Sequence, residues 1–230
     1  MSISTAPAGG LRLRVPRGLA KAVQGLLAAV IVADLFSIAS TAKFHGLWST
    51  MIDQGSDAVS DQEYEQAAYW HEFASLVQGT TLLVCAVAFI VWFYRMRVNT
   101  EVVAPYAHSM ASEWAVWGWL VPVVSLWFPH RIALDTWAAS EPGHHLSATR
   151  RTSTALVNIW WLLWVTSVNF GIVASALYTV VEEPGAVEKT LTLLMAVDVV
   201  DIAAGVLAIV FVHRLTAMQH RREADLYTAA

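Results

Sequence analysis

Charge is scarce in this sequence. Only 14% of its 230 residues are Asp, Glu, Lys or Arg, where a soluble domain carries about a quarter. A chain so short of polar surface cannot clothe a core in water, and a hydrophobic content of 57% points the same way. Cysteine is nearly missing as well. Cys85 stands alone inside an apolar run, which excludes an intrachain disulfide and leaves it a small core residue. Basic residues are few and scattered, so no nucleic-acid surface is implied. Nucleophile triads, CxxC pairs, a His-Glu-x-x-His pattern and phosphate-cradling glycine loops are all absent, so no cofactor is expected. Protein partners leave no trace that the residues alone reveal.

Long apolar runs are what the sequence does have. Four are long enough to cross a bilayer, which takes about 20 helical residues. They fall at 19–42, 73–94, 155–181 and 191–212. The lipid bilayer is therefore the first partner, and the expected fold is an all-α, membrane-spanning four-helix bundle. Residues 1–18 read as a disordered cytoplasmic N-terminus and 223–230 as a cytoplasmic tail. Arg12, Arg14, Arg17 and Lys21 ahead of the first run resemble the basic start of a signal peptide. The run is too long for that and holds Asp34, so an uncleaved first span is the reading, with Ser40-Thr41-Ala42 marking where cleavage would fall.

A fifth run, 114–128, is too short to span and contains Pro122, which removes a backbone donor and breaks a helix. Charge decides how it lies. If it dips in and returns, Arg12, Arg14, Arg17, Lys21, Arg95, Arg97, Arg131, Arg150, Arg151, Arg214, Arg221 and Arg222 share the cytoplasmic side, and only Lys43 and Lys189 face out. If it spans, the 14 basic residues divide evenly. The positive-inside rule favours the first arrangement. Residues 113–138 are thus expected to form a re-entrant or interfacial helical hairpin on the cytoplasmic side, with both termini there too. The outer loop, 43–72, is acidic, and 61–71 reads as a short surface helix feeding the second span.

Several blocks carry a family resemblance. Trp92-Phe93-Tyr94-Arg95 with Asn99, Trp114-Ala115-Val116-Trp117-Gly118-Trp119-Leu120-Val121-Pro122 and Leu126-Trp127-Phe128-Pro129 come first. Trp137-Ala138-Ala139-Ser140, Trp160-Trp161 and Arg214-Leu215-Thr216 with Gln219 follow. From about Trp92 to Arg222 the chain resembles a bacterial integral membrane family catalogued as a domain of unknown function, number forty-three twenty-eight. The tryptophan–proline block is its specific part. The resemblance implies a membrane protein of this architecture in a bacterial cytoplasmic membrane, and it supplies no activity.

Ionisable residues inside a membrane are costly, about 2.5–3.5 kcal/mol each on insertion scales, and so are functional hypotheses by default. The spans hold three, Asp34, Asp198 and Asp201. Counting residues from the span ends puts all three, with Asn169, at similar depth, and Thr80 and Thr81 reach the same level. Asp198 and Asp201, three apart, share a helix face. No Lys or Arg lies at that depth, so such a layer holds protons or a bound cation. It could equally serve packing by hydrogen bonds between helices.

Weaker signals surround this layer. His45 and His71 lie at the outer ends of two spans with Glu72 beside them, but without metal-ligand spacing, so no metal is expected and these are at most its candidates. Trp117 sits in the hairpin and Trp160, Trp161 and Trp164 in the third span, either as interfacial and core residues or as the wall of a pocket for a lipophilic small molecule. The resulting function is an accessory or small lipophilic-ligand-binding membrane protein with a buried acidic layer. An alternative is an intramembrane enzyme in which Asp34, Asp198 or Asp201 is the general acid on an isoprenoid or lipid, as in a terpene-cyclase-like reaction. A second alternative, a small proton- or cation-coupled transporter, is disfavoured by four spans without an inverted repeat.

Overall fold

The computed structural model describes residues 13–104, 106–141 and 153–228, and all regular structure among them is helical. The six α-helices of these residues are α1 (Arg17–Gln54), α2 (Asp61–Val103), α3 (Trp114–Leu120), α4 (Phe128–Ser140), α5 (Ala155–Tyr178) and α6 (Pro184–Thr228). α1, α2, α5 and α6 are each long and apolar enough to cross a membrane. The expected all-helical architecture with four spanning-length helices is what the chain adopts.

The helices overrun the apolar runs. α1, α2 and α6 extend over 38, 43 and 45 residues. The segment 61–71 is the first part of α2 rather than a separate surface helix. The overrun is held by packing: Phe44, Ala67, Val187 and Leu191 are buried together, with Leu47, Trp48 and Tyr64 against them. Phe44 stands 5.5 Å from the Tyr64 ring and 6.2 Å from Trp48. Once an apolar cluster of this kind forms beyond the spans, continuing each helix leaves fewer unpaired backbone groups than a loop would.

Helix ends follow local chemistry. Ser60 and Glu63 form a capping box at the start of α2: Ser60 N donates to Glu63 Oε2 at 3.2 Å, and Glu63 N donates to Ser60 Oγ at 3.3 Å. Before α6, Glu183 carboxylate oxygens accept from Gly185 N and Ala186 N at 3.2 and 2.8 Å, while Pro184 at the helix start gives up a donor that would be unpaired there anyway. α3 stops at Leu120 because Val121 precedes Pro122 and is pushed out of the helical region, to φ −85° and ψ 115°. The turn that follows is tight. Val124 N donates to Pro122 O at 2.7 Å across Val123, which sits at φ 67° and ψ −53°. That is a strained γ-turn, adopted here by a β-branched residue.

The described chain forms two compact units. A hairpin unit comprises the described parts of 1–18, 90–152 and 214–230, and a four-helix unit comprises 19–89 and 153–213. In the hairpin unit α3 folds back on α4, and Phe93 meets Trp119 edge-on at 5.9 Å. Its centre is polar. Asn99 Nδ2 donates to Arg14 O at 3.1 Å and to Gln219 Oε1 at 3.2 Å. Gln219 Nε2 donates to Met96 O at 2.9 Å and Ser140 Oγ at 3.1 Å. Arg97, 2% exposed, pairs with Glu101 at 3.0 Å and donates to Met110 O at 2.7 Å.

The described residues bear on both ends of the chain. Residues 1–12 of the expected disordered tail lie outside the described residues, but Leu13 and Val15 are buried and Arg14 is tied to Asn99, so 13–18 belong to the hairpin unit. The expected tail at 223–230 is helical as far as Thr228, because α6 continues through it. Arg150 and Arg151, which entered the charge count, lie outside the described residues.

The four-helix unit buries carboxyl groups among its core residues and turns large apolar side chains outward. Asp34 is fully buried and Asp198 is 7% exposed, whereas Leu35, Leu83 and Ile172 are 54%, 66% and 65% exposed. This is the reverse of a water-soluble bundle and suits hydrocarbon around it. Small residues bring the helices close: a Cβ at Gly205 would lie 3.1 Å from Ile31 Cγ1.

Candidate functional site

Asp34, Asp198 and Asp201 come together in the four-helix unit. The link is a residue that depth counting overlooks, Gln78 of α2. Its Nε2 donates to Asp34 Oδ1 and to Asp198 Oδ1, both at 2.8 Å. Asp201 lies within electrostatic reach of Asp34, and its Oδ1 accepts from Ser167 Oγ at 2.8 Å. Ser37 hydrogen-bonds Asp198. The second oxygen of Asp34, Oδ2, is buried with no hydrogen-bond partner.

Beside this cluster lies a cavity of about 750 Å³. Asp198, Asp201 and Gln78 form its polar wall, and Leu82, Val168, Ile172, Leu194 and Val197 its apolar one. At one end Thr41 Oγ1 sits 2.9 Å from His71 Nδ1. The His71 ring stacks on Phe44 at 5.5 Å and meets Tyr178 at 5.4 Å. Among the described residues that line the cavity there is no Lys or Arg. Three carboxyl groups so placed cannot all carry charge unless a cation joins them. The wall can hold protons, receive hydrogen-bond donors or bind a positive group.

Other residues named from the sequence lie elsewhere. Asn169 is exposed, is absent from the cavity lining, and donates to Val165 O at 2.7 Å. The α5 residue that reaches the acids is Ser167. Thr81 does not line the cavity either; its hydroxyl donates to Val77 O at 2.7 Å. Trp160 is buried and stacks on Phe211 at 4.8 Å, with Trp161 at 5.8 Å from it and Trp164 at 5.0 Å from Trp161. These rings form an aromatic core and are not cavity walls. Trp117 belongs to the hairpin unit and is 58% exposed. The two histidines also part company. His45 Nε2 lies 3.1 Å from Thr192 Oγ1 and 3.8 Å from Glu188, while His71 and Glu72 line the cavity. Among the described residues no group of three or more His, Cys, Asp or Glu is arranged to hold a metal ion.

Gln78 had a signal in the sequence, since an amide in an apolar span is nearly as conspicuous as an acid. Ser37, Thr41 and Ser167 had none, because single hydroxyls in spans commonly bond their own helix.

Fold and site define a class: an all-helical protein whose four membrane-length helices surround a carboxylate-walled cavity. The chain belongs to the family described as Domain of unknown function (DUF4328), whose family model matches residues 55–217. That match includes Gln78, Ser167, Asp198 and Asp201 and begins after Asp34. No curated protein and no solved structure matches the chain.

Proposed function

We propose that this is an integral membrane protein that binds a small lipophilic molecule in the cavity walled by Gln78, Asp198 and Asp201. The single observation that carries this is the cavity itself. Its volume, about 750 Å³, falls in the range of small-molecule sites, roughly 300–1,000 Å³, and its lining mixes a large apolar area with a few convergent polar groups. Acids needed only to fasten helices would be closed over by close packing. The terpene-cyclase-like reaction would call for aromatic faces beside the carboxyl group to stabilise a developing cation. With Trp160, Trp161 and Trp164 off the cavity, binding is the better-supported role.

In this reading α1, α2, α5 and α6 cross a bacterial cytoplasmic membrane with both termini inside. Charge supports the orientation. Among the described residues Arg14, Arg17, Arg95, Arg97, Arg131, Arg214, Arg221 and Arg222 belong to the hairpin unit, and only Lys21, Lys43 and Lys189 to the four-helix unit. The α3–α4 hairpin rests in the cytoplasmic interface. Its support is the outward display of Trp117, Leu120, Val123 and Trp127, side chains that interfaces and shallow hydrocarbon receive well.

The test is extraction. Protein purified in mild detergent, washed and extracted with organic solvent should release a lipophilic molecule at near one per chain, identified by mass spectrometry. Gly79→Trp, which fills the cavity flank, should lower the yield at least fivefold. Equal extracts from both proteins would refute binding at this cavity.

A further inference from the structure

We infer that the occupant of the cavity is a cationic amphiphile, a hydrocarbon chain carrying an amine, which enters sideways between α2 and α5. This rests on the binding role proposed above. The first argument is a count of protons at the polar wall. Gln78 spends both amide protons on Asp34 and Asp198. Ser167 spends its own on Asp201, and Ser75 donates to His71 O at 3.0 Å. With Ser37 also bonded to Asp198, Gln78 Oε1 and the second oxygen of Asp201 remain as acceptors toward the cavity, and the His71 ring donates or accepts according to its tautomer. Ser175 and Tyr178 at the rim can act either way. With these carboxyl groups ionised, the occupant that matches the wall is one that brings donors.

Charge narrows the class. Asp198 and Asp201 line the cavity, Asp34 lies behind them on the shared Gln78 amide, and no Lys or Arg is among the described lining residues. An ammonium supplies both what is missing, a positive charge and three N–H donors. A carboxylate or phosphate headgroup would meet acceptors and like charge, and the wall rejects it.

The second argument is access. The α1 lining residues Ser37 and Thr41 and Asp198 of α6 are buried, none of the α6 lining residues is exposed, and the exposed ones, such as Ser75, Gly79, Ile172 and Ser175, all come from α2, α5 or the C-cap of α5. The open side is thus between α2 and α5. Those helices touch on either side of it, through His71 and Tyr178 at 5.4 Å and through Phe89 and Trp160 at 5.8 Å. Between these contacts several lining residues are small, Ser75 and Gly79 on α2 and Gly171 and Ser175 on α5, alongside Leu82, Val168 and Ile172. In a spanning bundle such a window faces acyl chains. A ligand dissolved in the bilayer can turn its head toward Asp198 and Asp201 while its tail stays against Leu82 and Ile172.

Native mass spectrometry of the full chain, released from detergent micelles, tests this with dodecylamine, dodecanol and dodecanoic acid as probes. Dodecylamine should form a saturable one-to-one adduct at least tenfold tighter than either of the others. Asp198→Asn with Asp201→Asn should weaken it at least tenfold. Gly79→Trp should weaken it similarly, with Gly79→Leu as a milder version. A Cβ at Gly79 meets no atom within 4 Å, and an unchanged thermal midpoint in detergent is the check that each variant folds. Asn169→Ala, off the cavity, should change nothing. Dodecanol or dodecanoic acid binding as tightly as the amine, and lost in Gly79→Trp, overturns the cationic class but leaves cavity binding standing. Amine binding retained in the double Asn variant also overturns that class, and amine binding indifferent to Gly79→Trp overturns sideways access. No adduct with any probe, together with no extractable molecule, defeats the binding role as well.

Discussion

Gln219 in the hairpin unit and Gln78 in the four-helix unit are both amides set inside helices, and each gives away two hydrogen bonds. Their partners differ. Gln219 and Asn99 use each other, Met96 O, Ser140 Oγ and the Arg14 backbone, so every amide proton and oxygen of the pair is engaged. Gln78 instead holds two carboxyl groups, one of which, Asp34, keeps an oxygen unpartnered, and the other borders a cavity. A closed amide network is a finished piece of structure, worth more intact than the sum of its bonds. A carboxyl cluster without a cation is unfinished, and its cost is not repaid inside the protein. The polar interior of one unit is therefore assigned to folding and that of the other to a ligand.

The largest expected effect tests the first half of that contrast. Gln219→Ala strands the second amide proton of Asn99 and leaves a hole beside Met96 and Ser140, both in a unit where Gln219 is only 2% exposed. Buried orphans cost about 1–3 kcal/mol each, so a loss of about 3 kcal/mol is expected in detergent-based unfolding. A loss below about 1 kcal/mol would mean the network is not the centre of the hairpin unit.

A smaller effect of opposite sign is expected at the hairpin tip. Val123 holds φ 67° in a γ-turn while 64% exposed. Glycine adopts that backbone freely, so Val123→Gly should raise stability by about 1 kcal/mol. The gain should be seen in the thermal midpoint of the detergent-solubilised protein. In vesicles it should be partly offset if the tip inserts in lipid. Destabilisation in detergent would show that the valine side chain, rather than the turn, matters there.

How much of this was legible in the residues follows from two different periodicities. Depth along a helix accrues at about 1.5 Å per residue, so counting from span ends put Asp34, Asp198 and Asp201 in one group, two of which Gln78 links. Facing turns by about 100° per residue, and depth says nothing about it. Asn169 has the level but lies about 200° around α5 from Ser167, which is why it points away while Ser167 reaches Asp201. Thr81 fails for another reason: its hydroxyl is satisfied on its own helix and needs no partner across the bundle. The hairpin was visible through Pro122. The division into two units was not, because α2 and α6 run unbroken from one to the other and carry no glycine or proline at the border.

The smallest stability effect separates the units most sharply. Asp198→Asn and Asp201→Asn keep the acceptor atoms that Gln78 and Ser167 use, since an amide Oδ1 replaces a carboxylate Oδ1 in each case. They remove a group whose burial as an ion is unfavourable. The outcome for folding should be a change within about 0.5 kcal/mol, or a slight gain. The same unfolding assay that registers Gln219→Ala should read these variants as near wild type. A carboxyl group whose amide isostere costs nothing in stability gives the fold nothing through its charge or its proton. Were the two Asn variants to lose stability on the scale of Gln219→Ala, the acids would belong to the packing of the bundle, and the contrast between a structural interior and a ligand-binding one would collapse.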